Sequence, residues 1–529
     1  MRQGRPLLLL AFVLLALGVP ATAGAVPAAQ RPAADAPLLL PPQGARAARA
    51  AVPGWLVGAA PSTEARTIAR RHGARQVAPG IHAVPTVGAR TLAGALRAEG
   101  LLRFSEPDRP LRRLDAEDGF TNWRATVVPP GLREPTVRAG SPLVAVLDSP
   151  ADLGHPDLAG VTQSRAAPPF DEHGTAVASM VSARRQGSGM AGVWPGARTL
   201  VVPTGGSQGI TCSQAVSGLG TAVQAGVAVV NMSFGSPGTC FAMELAINRA
   251  RTAGVVLVAA AGNEGEGGES VSFPASYPHV LSVASTDVMG NGSAFSTANE
   301  AVDVGAPGEG VTAALPGGGH GLVEGTSFSA PIVAGVAAWV AQRRPALDAG
   351  QIADVLRESA DDIGPSGYDP FTGFGLVDLP GALAASTPRA DPMEVNDDIE
   401  WVDGRRLGRA RDHIWRGGRR AAVVRARADL TKDPVDVYRV RVPARRSARV
   451  AIAPQGSGAD VDLEVFSRSA RTVYSGRGLV GRSVRKAGRR DVVRFTNRVR
   501  EARTFYVCVF VPTNAQELGA GYTLGVRRP

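Results

Sequence analysis

The segment Ile332–Ala341, IVAGVAAWVA, carries no polar side chain. A helix that is apolar on every side belongs inside a domain, not on its surface. Just before it stands Gly325-Thr326-Ser327-Phe328-Ser329-Ala330-Pro331. A helix tolerates proline in its first turn, where the missing N–H has no acceptor, so Pro331 is expected near the helix start. That puts Ser327 at the mouth of a buried helix, beside backbone N–H groups without intrahelical partners. Those groups and the helix dipole can hold an oxyanion forming on a substrate. Alone, the segment fits an ordinary N-cap serine equally well.

Two more segments break the tie. SPLVAVLD reads as a fully buried parallel strand ending in Asp148, and ligands meet parallel sheets at the carboxyl ends of their strands. Further on, Asp171-Glu172-His173-Gly174-Thr175 opens the apolar run AVASMV. A lone Asp or His in such a place is commonly a cap or a core hydrogen-bonder. With Ser327 they supply a nucleophile, a base and a carboxylate to orient the base. A fourth segment, GVVLVAAAGNEG, is a buried strand running into Asn263, whose amide can be a second oxyanion donor.

With these residues in hand, positions 140–385 resemble the catalytic domain of subtilisin-like serine proteases. VAVLD, HGTAVAS, NMSFGS, AAAGNEG, SFPASYPHVLSVAS, VGAPG and GTSFSAP occur in the family's order. The resemblance implies that Asp148 orients, His173 is the base, Ser327 attacks and Asn263 binds the oxyanion. It also implies a substrate channel lined by Ser233-Phe234-Gly235 and Ala260-Ala261-Gly262, with Ser272 at the floor of the main specificity pocket. No charge stands at that floor, so a broad preference for neutral side chains before the scissile bond is expected. The chain departs from the family at Pro150, where Gly is usual, and at Phe328, where Met is usual. The contrasting expectation is a catalytically inactive binding or scaffold protein on the same fold, which the presence of all four groups disfavours.

Residues 1–25 combine Arg2 and Arg5, the apolar run LLLLAFVLLALGV and small residues, the pattern of a secretory signal. The run is too short to span a bilayer, so a secreted, extracellular protein with no membrane span is expected. Residues 26–115 are expected to hold an Ala/Pro-rich linker and then a small α+β unit: strand WLVGA, helix PSTEARTIARRHG, strand IHAVPTV, helix RTLAGALRAEG and strand LLRFSEP. Its place ahead of the catalytic domain resembles a propeptide acting as folding aid and inhibitor; a small retained domain is the alternative. Residues 116–389 read as alternating strands (Val193–Pro203, Val227–Ser233) and helices (Gln214–Ala225, Phe241–Ala253), hence a parallel sheet. Residues 390–529 turn to alternating strands with Gly and Pro breaks, an antiparallel sandwich resembling the pre-peptidase C-terminal domain.

The fold class is therefore α/β: a parallel-sheet catalytic domain, a small α+β propeptide and a C-terminal antiparallel β-sandwich. Charge divides with it. Residues 1–115 hold 15 Arg and 6 acids (+9), residues 116–389 hold 13 Arg and 24 acids (−11), and residues 390–529 hold 29 cations and 16 acids (+13). Docking of a basic propeptide on an acidic domain is one reading, and compositional drift the other. The basic tail points to anionic polymers or a cell surface as partners beside polypeptide substrates, and its removal is expected to leave small-peptide cleavage unchanged. Cys212 and Cys240 precede consecutive helices at one edge of the sheet and are expected to form a disulfide, leaving Cys508 as a buried thiol. The chemistry requires no cofactor. The acidic segment Asp391–Asp398 is either a solvated turn or a source of oxygen ligands for structural calcium. A monomer is expected.

Overall fold

Seven parallel strands form the central sheet, in the order Val304–Pro307, Val280–Thr286, Val256–Ala260, Val229–Met232, Leu143–Asp148, Arg198–Pro203 and Thr162–Gln163. The computed structural model describes residues 54–529 except 109, 114–122, 165–169, 186–189, 207–208, 266–270, 514 and 516–517, with the backbone alone at 110–113. The proposed signal and linker, and the boundary at 115, lie outside the described residues.

Alternation along the strands sorts the core into two layers, because successive side chains point to opposite faces. Val144, Val146, Val256 and Val258 pack with the helices Glu172–Ser182 and Thr326–Arg343. Ala145, Leu147, Leu257 and Ala259 pack with Cys212–Gln224 and Phe241–Thr252. The helix Thr326–Arg343 is buried on all sides from Thr326 to Val340, as an uninterrupted apolar surface requires.

Pro331 is not in the first turn of that helix. The helix begins at Thr326, so Pro331 lies inside it and leaves the carbonyl of Ser327, four residues back, without its intrahelical donor. Ser233 Oγ supplies the hydrogen bond instead, at 2.6 Å. The local cost of the proline is thus offset by a hydroxyl from a neighbouring strand end.

The N-terminal unit is a four-stranded antiparallel sheet, Arg75–Ala78, Ile81–Pro85, Gly54–Ala59 and Leu102–Pro107, with helices Thr63–Arg71 and Thr86–Ala98 on one face. Arg75–Ala78 was not apparent as a strand, since its first two residues are exposed and polar. The strand expected through Val87 stops at Pro85, where the second helix starts. The other face of the sheet lies on the central unit, where Leu56, Ile81 and Phe104 share a core with Leu219 and Phe241.

The C-terminal unit is a sandwich of two four-stranded antiparallel sheets. One runs Ala422–Asp429, Gly519–Arg527, Ser447–Pro454, Asp491–Thr496, and the other Val435–Val442, Arg503–Phe510, Asp462–Ser467, Leu479–Ser483. Cys212 and Cys240 form a disulfide, with Cα atoms 6.6 Å apart, and Cys508 is a buried free thiol. Among the described residues, no helix is long and apolar enough to cross a membrane.

Candidate active site

The four chemistry-bearing residues converge at the carboxyl edge of the central sheet. Asp148 closes the strand Leu143–Asp148, and His173 stands in the first turn of Glu172–Ser182. Asp171 caps that helix by accepting the His173 N–H at 3.0 Å. The helix can lie this close because residue 174 is glycine: a Cβ there would stand 2.2 Å from the Ser149 carbonyl oxygen.

His173 Nδ1 is 2.8 Å from Asp148 Oδ1, and both side chains are almost wholly buried. Oδ1 also accepts the Ser149 N–H at 2.7 Å, so it is an acceptor here. Nδ1 must then be the donor, which leaves Nε2 with the basic lone pair. The ring lies 5.4 Å, centroid to centroid, from that of Phe328, the residue after Ser327.

Ser327 is fully buried in the first turn of its helix, where its own N–H lacks an intrahelical acceptor. Its Oγ donates to the Ser233 carbonyl at 3.2 Å. Asn263 Oδ1 accepts both the Thr326 N–H (3.0 Å) and the Thr326 hydroxyl (2.8 Å). Those bonds fix which end of the amide is oxygen, and the buried Nδ2 has no hydrogen-bond partner. A buried donor left unsatisfied beside the serine is what a site built for a transient oxyanion requires. Sequence reasoning missed Thr326 and Ser233 as the residues that set these positions, although Thr326 adjoins Ser327 in the chain.

The channel residues divide. Phe234–Gly235 pairs antiparallel with Pro110–Arg113, Phe234 opposite Arg113 and Gly235 opposite Arg112. On its other side Pro110–Arg113 pairs with Ile210–Thr211, so the chain's own segment forms the middle strand of a three-stranded sheet. Ala260 and Ala261 are buried, and Ala261 N–H donates to Val283 O at 2.9 Å. Gly262 has φ +122°, donates to Thr326 Oγ1 at 3.2 Å and accepts from Thr297 N–H at 2.9 Å. A Cβ at Gly262 would come within 3.5 Å of Ser272 Cβ, so Ser272 stands beside this turn.

A second cluster lies where the central and C-terminal units meet. Ligand oxygens of Asp391, Glu394, Asp433 and Asp436 are all within 4.8 Å of one another. Burial raises the pKa of all four, Asp391 to about 6, and neighbouring carboxylates push Glu394, Asp433 and Asp436 higher still. Glu394 has a side chain only 4% exposed; His279 Nε2 stands 3.3 Å from its Oε2, and neither oxygen accepts a hydrogen bond. The solvated-turn reading of this segment therefore fails, because Asn396, Asp397 and Asp398 are buried too.

Residues 140–375 match the subtilase family. Subtilisin amylosacchariticus of Bacillus subtilis subsp. amylosacchariticus is 35% identical over 263 residues, covering 48% of this chain and 68% of that protein. Subtilisin of Bacillus pumilus is 34% identical over 263 residues, covering 48% of this chain and 94% of that one. The crystal structure of fervidolysin from Fervidobacterium pennivorans, a keratinolytic enzyme related to subtilisin, aligns over 88% of both chains with a TM-score of 0.55 at 20% identity, a likeness of fold. The chain belongs to the subtilase family. It is a subtilisin-like serine endopeptidase, a hydrolase of peptide bonds.

Proposed function

We propose that Ser327, His173, Asp148 and Asn263 carry the peptide hydrolysis. A substrate strand binds along Phe234–Gly235. The Ser327 hydroxyl turns from the Ser233 carbonyl to His173 Nε2, which takes its proton as Oγ attacks the carbonyl carbon. Asp148 holds the imidazole and steadies its charged form. Asn263 Nδ2 and the Ser327 N–H stabilise the oxyanion. His173 then gives its proton to the leaving amine, and water repeats the cycle on the acyl-enzyme. The observation carrying this reading is the buried 2.8 Å contact between His173 and Asp148 beside an Asn263 amide with no partner. A fluorophosphonate probe is expected to label the protein at Ser327. Ser327→Ala is expected to lose label and turnover together, of the order of a million-fold in kcat. A Ser327→Ala protein with ordinary turnover would overturn the assignment.

The other parts of the proposal follow the chain. Residues 1–25 direct secretion, and 26–115 form the linker and an inhibitory propeptide whose Pro110–Arg113 strand fills the channel until it is removed. Residues 116–389 are the catalytic domain, and 390–529 a domain related to the pre-peptidase C-terminal family. Ser272 forms the floor of a pocket for neutral side chains. Asp391, Glu394, Asp433 and Asp436 fit a calcium ion, which takes carboxylate oxygens and would satisfy the Glu394 oxygens that accept no hydrogen bond. Its role there is structural, since the hydrolysis uses no metal.

A further inference from the structure

The two outer faces of the C-terminal sandwich differ. On the sheet containing Val435–Val442 and Arg503–Phe510, the outward Val437, Phe466 and Cys508 are sealed beneath Ile399, Val402 and Val473. Among the described residues the other sheet is covered at one end only, where the outward Asp429 meets Arg357 and the outward Arg427 meets Glu358. On that sheet Val450 and Ile452 on one strand, and Leu524 and Val526 on the next, point into the core, so Arg449 and Arg527 point out.

The register then puts like charges side by side. Arg527 is opposite Arg449, and Arg449 is opposite Arg494. Three guanidinium groups thus cross three neighbouring strands in one row roughly 10 Å long. A second cationic position, Arg425, is opposite Thr523, four residues along the strand from Arg527 and so roughly 14 Å away. Between them runs a row of uncharged residues, Val423, Gly525, Ala451 and Val492, a low floor with no side chain rising from Gly525.

Like charges directly opposite one another destabilise a sheet. Among the described residues, none of Arg425, Arg449, Arg494 and Arg527 has an ion-pair partner. The one outward carboxylate of these four strands, Asp429, is held by Arg357 at 2.9 Å at the far end of the sheet, and no outward position carries an aromatic ring. The missing anion must come from outside. Guanidinium forks match carboxylate and sulfate oxygens in pairs. The absence of an aromatic platform disfavours single-stranded nucleic acid, whose bases stack on such rings.

We propose that this face binds a linear acidic polysaccharide, its chain lying on Gly525 and Ala451 and its acidic groups on Arg449, Arg494, Arg527 and Arg425. The proposal goes beyond the peptidase reading and does not depend on it. The test uses the full chain on immobilised heparin and polygalacturonate, with the salt dependence of Kd as readout. The triple variant Arg449→Gln, Arg494→Gln, Arg527→Gln is expected to bind about 30-fold more weakly and to lose about three units of the log–log salt slope. The control is Arg468→Gln, Arg471→Gln, Arg477→Gln, which removes equal charge from exposed positions off this face. It is expected to weaken binding by less than about threefold, the cost of one such contact. Small-peptide cleavage is the folding check for both. Equal losses from the two triples, or no loss from the first, would refute a defined site. Tighter binding to duplex DNA or to anionic vesicles than to either polysaccharide would overturn the assigned partner.

Discussion

The two flanking units sit on the same central domain by opposite means. The N-terminal unit uses an apolar face and two helix caps. Phe104 meets Phe241 edge-on at 5.0 Å, Glu106 accepts the N–H groups of Phe241 and Ala242 at 2.9 and 2.7 Å, and Asp108 accepts that of Ser213 at 2.7 Å. When such a unit leaves, the helix ends it capped can turn to water. The C-terminal unit instead buries charge. Arg357 meets Asp429 at 2.9 Å, and Lys432 meets Asp303 at 3.2 Å while donating to the Ala275 carbonyl at 2.7 Å. Burial alone would raise Asp429, yet Arg357 holds it below the usual carboxylate range. On the proposed reading, the first docking is the one to be undone and the second the one to stay.

This contrast argues against the expectation that removing residues 390–529 leaves small-peptide cleavage nearly unchanged. Arg357→Met strands Asp303 and Asp429 with Lys432 as their remaining buried cation. Breaking a buried pair in this way costs about 3–5 kcal/mol. Chemical denaturation of the mature enzyme is expected to show that loss, and truncation at 389 is expected to yield little soluble enzyme. A truncated enzyme as stable as the full chain would erase the distinction between the two interfaces.

Calcium sharpens the same comparison, because its proposed ligands belong only to the permanent junction. At a free concentration of about 100 times Kd, a ligand that binds the native state adds about 2.7 kcal/mol. Chelation should therefore lower the thermal midpoint of the enzyme, and Glu394→Gln should remove most of that response. An unchanged midpoint on chelation would leave the four carboxyls as a protonated cluster with no ion.

The releasable interface should yield in smaller steps. Glu106→Gln keeps the shape but removes the negative charge at the N-terminus of Phe241–Thr252. Loss of a helix cap costs about 0.5–2 kcal/mol, so inhibition by the N-terminal unit added in trans is expected to weaken by about 2- to 30-fold. If inhibition were indifferent to this change, the apolar face would be carrying the docking alone.

Much of this was legible before any coordinates, for a physical reason. Asp148, His173, Asn263 and Ser327 each end or begin a strongly apolar element, and such elements announce their boundaries. Ser327 was found by the burial of its helix, even though Pro331 lies deeper in that helix than its chemistry suggests. What allows that depth, the Ser233 hydroxyl on the Ser327 carbonyl, joins residues 94 apart and leaves no local trace. Strands Arg75–Ala78 and Ala422–Asp429 were missed because exposed arginine and glutamine interrupt their alternation. The acidic segment stays open between its two readings in the sequence for the opposite reason: only the docking of a whole domain buries it. The basic N-terminal unit likewise meets its partner through carboxylates, since helix ends decide a contact that net charge does not.

The smallest expected effect tests whether the releasable unit also carries its own trigger. His82 is 1% exposed in the strand Ile81–Pro85, and neither ring nitrogen has a hydrogen-bond partner. Burial holds its pKa below the ordinary 6.5, because the charged form would lose water and gain no partner. In the unfolded unit the ring takes up a proton near pH 6.5, while in the folded unit it resists until a lower pH. The unfolded state thus binds more protons in that window, and stability falls as pH falls. The contribution is complete above pH 6.5 and declines by up to about 1.4 kcal/mol per unit as pH drops toward the folded pKa. Central and C-terminal units serve as internal references in the Ser327→Ala protein, where the N-terminal unit remains attached. Amide hydrogen exchange in Ile81–Pro85 should quicken between pH 6.5 and 5 beyond its intrinsic change, and His82→Leu should abolish that excess. The same excess in the leucine variant would assign the pH response to the capping carboxylates Glu106 and Asp108, making the interface and not the core of the unit its acid-sensitive part.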